Sequence, residues 1–81
     1  MVGKIKFVNS IEVLNFITDI NKIYSDVDLI VMNKRIDAKS FTDVLGLDLS
    51  KPYMIELLSD KTFDINKFKI ILEKYGAVRT N

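Results

Sequence analysis

The sequence predicts an α+β fold in a single domain spanning 1–81, with helices laid on one face of an antiparallel sheet. Three observations carry this prediction. Stretches of period-two alternation are short and joined too tightly for parallel crossovers. Two longer stretches space their apolar residues by three and four, as helices packed on a core do. Between Ser40 and Gly46 lies a third helical segment too brief to cross a sheet. A chain of 81 residues has room for one core, and with 48% hydrophobic residues, one proline and three glycines it is too apolar and too regular to be disordered.

Lys4-Ile5-Lys6-Phe7-Val8 alternates charged and apolar residues and reads as the first strand. Val13, Phe16, Ile17, Ile20, Ile23 and Tyr24 then define a helix from Ser10 to Ile23, with Ser10 as its N-cap and Glu12 in its first turn. Val27, Leu29 and Val31 alternate with Asp28, Ile30 and Met32, and Asn33-Lys34 turns the chain into a short arm, Arg35-Ile36-Asp37. Ser40 opens the brief helix and Gly46 stops it in a left-handed conformation. Tyr53 to Leu58 is the last strand. The last helix is capped by Asp64, stapled by Phe63 and Phe68, striped by Ile65, Phe68, Ile71, Leu72 and Tyr75, and ended by Gly76.

Composition removes whole classes of chemistry. The chain contains no histidine and no cysteine, so imidazole catalysis, thiolate nucleophiles, thiolate metal sites and disulfides are excluded together. The lack of cysteine fits a reducing compartment, and the cytoplasm is the expected location. Twelve basic and eleven acidic residues are interleaved along the chain, which leaves no electrostatic footprint for nucleic acid. The longest aliphatic run, Leu29 to Met32, is far short of the ~20 residues of a membrane helix, and no apolar segment reads as a signal peptide. A domain of this size buries only ~60% of its unfolded surface, so a surface function is expected rather than an internal ligand cavity. No cofactor is expected. Asp26 and Asp28 share a strand face, but two carboxylates without a third oxygen ligand read as a solvated face and not as a metal site.

The run Ser25-Asp26-Val27-Asp28-Leu29, the run Asn33 to Phe41 containing Lys39-Ser40, and Val44-Leu45-Gly46-Leu47 resemble the middle half of HPr, the histidine-containing phosphocarrier of the bacterial sugar phosphotransferase system. The resemblance is specific over about residues 21 to 58, and elsewhere only the order of elements agrees. It implies a βαββαβα open-faced β-sandwich, with three helices on one face of a four-stranded sheet of order 1-4-2-3. In that family a Gly-Ile-His-Ala-Arg-Pro-like stretch precedes the first helix, and its histidine accepts a phosphoryl group from enzyme I. Here the corresponding stretch is Val8-Asn9-Ser10-Ile11-Glu12-Val13, which lacks both the histidine and the arginine. The phosphocarrier reaction is therefore not expected, nor any other enzymatic activity. Ser10 is the one remaining hydroxyl there, and it reads as a cap rather than a nucleophile.

The resemblance also points to Ser40, the serine that follows the lysine and that the family phosphorylates for regulation. A helix start suits a phosphate, but Thr42 and Asp43 replace the family's usual methionine and glycine, and an acid there repels the phosphate. Family partners dock on exposed apolar residues of the short helix, where Phe41 and Leu45 stand four apart on one helical face. These two either meet partners or turn inward to complete the core. On the open sheet face, alternation groups Ile30, Met32, Met54 and Leu58 with Asp28 and Glu56. They form either an apolar interaction surface bordered by Lys4 and Lys6, suited to a homodimer, or scattered surface hydrophobes. The expected function is an HPr-like, non-catalytic protein-binding or regulatory module, with a homo-oligomeric structural domain or a phosphoacceptor at Ser40 as alternatives.

Overall fold

Ile5, Val27, Leu29, Tyr53, Ile55 and Leu57 are buried while their strand neighbours are not, so every strand that holds the core presents one face to it. In the computed structural model, which describes residues 1–78, the elements run β1 (Val2–Ile5), α1 (Ser10–Ile20), β2 (Val27–Val31), β3 (Lys34–Asp37), α2 (Phe41–Leu45), β4 (Tyr53–Leu57) and α3 (Thr62–Tyr75). The four strands form one antiparallel sheet of order β1-β4-β2-β3, the order that the family resemblance implied. Val13, Phe16 and Ile20 of α1, Val44 of α2, and Phe68, Ile71 and Tyr75 of α3 close the core over the sheet. Phe7, Phe16 and Tyr75 meet edge to face, with ring centroids 5.0 to 6.2 Å apart.

Several boundaries fall elsewhere than periodicity placed them. β1 begins at Val2 and ends at Ile5, while Phe7, although buried, lies past its end. The N-cap of α1 is Asn9, not Ser10: both side chains offer a capping oxygen, and the Asn9 side-chain Oδ1 accepts from the Glu12 N–H at 2.9 Å. The helix stops at Ile20, and Ile23 packs in the core from the following turn while Tyr24 is exposed. The hairpin turns on Met32-Asn33, both at positive φ (51° and 65°), so Lys34 already belongs to β3. Gly46 ends α2 at φ −81°, without the left-handed conformation expected of it. β4 ends at Leu57, one residue before the expected Leu58.

At α3 the flanking residue is Lys61. Asp64 lies inside the first turn, buried, with its Oδ2 accepting from the Ser25 hydroxyl at 2.6 Å and the Ser59 hydroxyl at 3.0 Å. Phe63 is 65% exposed, so it makes no staple with the buried Phe68. Beyond α3 the chain turns back along the outer edge of β1. Lys6 N–H donates to Tyr75 C=O, Ala77 N–H donates to Lys4 C=O, and Ile5 bridges Gly76. A Cβ at Gly76 would strike the Leu72 carbonyl, so the close passage needs glycine.

Candidate functional site

Asn9 and Glu12 close the start of α1 from both sides. The Asn9 side chain takes the Glu12 N–H, and Glu12 Oε1 reaches back to accept from the Val8 N–H at 3.1 Å. This is the reciprocal arrangement of a capping box, displaced by one residue on the return bond. It takes up the Glu12 and Val8 N–H groups, and it sets a carboxylate beside the start of the helix. Ser10 is an exposed first residue of the helix.

Ser40 flanks α2, and its side chain makes no cap hydrogen bond. Its backbone is engaged, with Ser40 N–H donating to Asp37 C=O and Val44 N–H donating to Ser40 C=O. The Lys39 ammonium beside it is directed to the Ile23 carbonyl at 2.6 Å and the Tyr24 carbonyl at 3.4 Å. Lys39 thereby ties the start of α2 to the turn after α1. Val44 is fully buried and anchors the helix, while Phe41 and Leu45 are 52% and 41% exposed. The two apolar residues thus face outward and do not complete the core. On α1, against which α2 packs, Ile11 and Leu14 are also exposed.

On the other side of the sheet, Ile30 of β2, Met32 of the hairpin turn and Met54 of β4 come together. They line an open depression of about 550 Å³ with Leu47 and Pro52, and Lys4, Asp48 and Lys51 reach it as well. The wall from the loop before β4 is braced by Asp48, which accepts from the Ser50 N–H and hydroxyl, and by the Tyr53 hydroxyl donating to Asp48 C=O at 2.8 Å. The Ser50 hydroxyl foremost holds the Asp48 carboxyl below its ordinary pKa. Leu58 does not join this group. It lies past the opposite end of β4, where its N–H donates to Asp26 C=O.

The sequence reading missed Arg35. Its guanidinium crosses β2 to reach Glu56 at 2.7 Å and Asp28 at 3.3 Å, and those hydrogen bonds, with Glu56 foremost, raise its pKa. Both carboxylates expected to face solvent are therefore bridged. The signal was available once strand order was fixed, because Arg35 pairs with Ile30 and so shares the face of Asp28 and Glu56.

Comparison with protein-family models finds no match, and comparison with curated protein sequences finds none. Among solved structures, the chain is similar to a crystal structure of HPr-C-His from Thermoanaerobacter tengcongensis, with a TM-score of 0.64 and 20% identity over 96% of each chain. No helix among the described residues is long and apolar enough to cross a membrane. A likeness at this identity speaks for architecture, and strand order, helix number and element sequence all agree with it: the chain has the HPr-like α+β fold, an open-faced β-sandwich.

Proposed function

We propose that the chain is a non-catalytic protein-binding module on the HPr-like fold, a regulator or adaptor that carries no phosphoryl group. The observation that supports this reading is the Asn9–Glu12 cap. In the family that the chain resembles, the start of the first helix carries the phosphoryl-accepting histidine. This chain has no histidine, and at that helix start the Glu12 N–H is bonded to Asn9 and the Val8 N–H to Glu12, whose carboxylate repels a phosphate. What the helical side offers instead is exposed apolar surface, with Phe41 and Leu45 held outward over a buried Val44.

Two measurements test the reading together. Incubation with labelled phosphoenolpyruvate and enzyme I leaves the chain unlabelled. Affinity capture from the native lysate retains a partner that Phe41→Ala loses, although that variant melts like the parent because the side chain is half exposed. Label on the chain, or capture indifferent to Phe41→Ala and Leu45→Ala, overturns it.

A second reading, regulatory phosphorylation of Ser40, is favoured by the absence of a cap hydrogen bond from its hydroxyl. The engaged Lys39 ammonium and the acid at Asp43 work against it. Incubation with ATP and the HPr kinase separates the two, since phosphate on Ser40 establishes the second reading and its absence removes it.

A further inference from the structure

Lys67, Ile70, Ile71 and Lys74 stand at i, i+3, i+4 and i+7 on α3, and Asp19 and Lys22 meet them from the last turn of α1 and the turn after it, so that one groove runs between the helices. Ile71 is buried and Ile70 is 61% exposed, which gives the groove an apolar lining. Around that lining stand three ammonium groups and one carboxylate. The carboxylate is committed within the fold: Asp19 accepts from the Tyr75 hydroxyl at 2.7 Å and pairs with Lys74 at 2.9 Å and with Lys22 at 3.7 Å. It offsets one of the three positive charges. The Lys67 ammonium donates to the Lys22 C=O at 2.8 Å and lies 4.2 Å from the centre of the Phe63 ring. Neither contact is with an anion, and Lys67 has no carboxylate partner among the described residues. The fold holds this cation in place without neutralising it. Glu73, the other acid on this part of α3, does not line the groove and stands four residues from Lys69.

We propose that this groove binds an acidic peptide segment of a partner protein, which lays one aliphatic side chain against Ile70 and Ile71 and sets carboxylates against Lys22, Lys67 and Lys74. Charge complementarity selects the sign of the occupant, because the lysines exceed the single carboxylate that Asp19 supplies and surround an apolar strip. Size selects its kind. At about 190 Å³ the groove falls below the ~300 Å³ at which pockets for small organic ligands begin, and it has room for a side chain or two. The contacts that hold Lys67 reduce the side-chain freedom lost on binding, so the site is partly organised in advance. An anionic bilayer presents a broad flat surface and leaves a recess between two helices unfilled, which makes it the poorer fit. Phe41 and Leu45 do not line the groove, so this second docking site and the function proposed above are tested separately.

Fluorescence anisotropy with a labelled synthetic peptide, a leucine flanked on each side by glutamates in a glycine and serine background, tests it. Binding saturates below about 1 mM and weakens severalfold between about 50 mM and about 300 mM salt. The same peptide with glutamine for glutamate binds about tenfold or more weakly, and serine for leucine costs about threefold or more. Lys67→Gln weakens binding of the glutamate peptide about fivefold or more, while Lys34→Gln, on β3, removes the same charge and leaves it unchanged. Should Lys67→Gln alter the far-ultraviolet circular dichroism, Lys22→Gln decides instead, since that side chain is 66% exposed, and the same loss is expected. A peptide that does not bind overturns the proposal, as do equal affinities for the glutamate and glutamine peptides, or lysine variants in the groove that act no differently from Lys34→Gln. Cosedimentation with phosphatidylglycerol vesicles that Lys67→Gln abolishes, without saturable peptide binding, overturns it in favour of a bilayer.

Discussion

Asp64 joins three parts of the chain through one oxygen, since the Ser25 hydroxyl precedes β2, the Ser59 hydroxyl follows β4, and the carboxylate itself belongs to the first turn of α3. The Ser25 hydrogen bond is the foremost influence that holds its pKa below the ordinary 3.8. Ser59, the Tyr24 backbone N–H and Lys61 act in the same sense, and burial opposes them. Because the folded pKa is the lower one, this carboxylate adds stability above the unfolded value of about 3.8, and the contribution disappears as pH falls through the folded value. Asp64→Asn is therefore expected to melt below the parent at neutral pH, with the difference narrowing as pH falls toward about 2. Thermal midpoints across that range check it. Asp19 adds to the same acid sensitivity: burial, its largest influence, pushes its pKa up, and the Tyr75 hydroxyl and Lys74 outweigh it and lower it.

At the scale of elements, the β2–β3 hairpin carries a local cost. Its turn needs positive φ at both central residues, which Asn33 tolerates and Met32, 90% exposed, does not. Met32→Asn is expected to raise stability by about 1 kcal/mol, measured by urea unfolding, since it relieves the left-handed strain and removes no core contact. Strand and helix order were legible because the periods of two and of three to four report which side is buried, and a face that buries Leu29 and Ile55 leaves little choice. Single positions were not legible where neighbouring residues offer the same chemistry. Asn9 and Ser10 both carry a capping oxygen, and which one bonds depends on how the chain leaves β1. Asp64 has the composition of a cap, yet its role is set by two serines distant in sequence. Of the candidate sites, the outward Phe41 and Leu45 could not be told from core residues, because a five-residue helix has too few turns to define a face.

For the molecule as a whole, the ring cluster of Phe7, Phe16 and Tyr75 joins the exit from β1 to both long helices, and the Tyr75 hydroxyl donates to Asp19 at 2.7 Å. Phe16→Ala is expected to cost about 3–5 kcal/mol. A domain of this length holds roughly 4–12 kcal/mol in all, so at the lower end of that range the variant is largely unfolded at room temperature, a loss that near-ultraviolet circular dichroism reads directly. The segment through Gly76 and Ala77 that lies along β1 has its own consequence. Among the described residues it covers the end of the β1 edge from Lys4 to Lys6, and the opposite edge, β3, is short and carries Lys34, Arg35 and Asp37. Fibre growth by edge pairing needs two open edges on every subunit, one to receive a neighbour and one to receive the next. A β1 edge already paired from Lys4 to Lys6 offers a neighbour only its end at Val2 and Gly3, so the same few residues that finish the last helix also shorten the template for polymerisation.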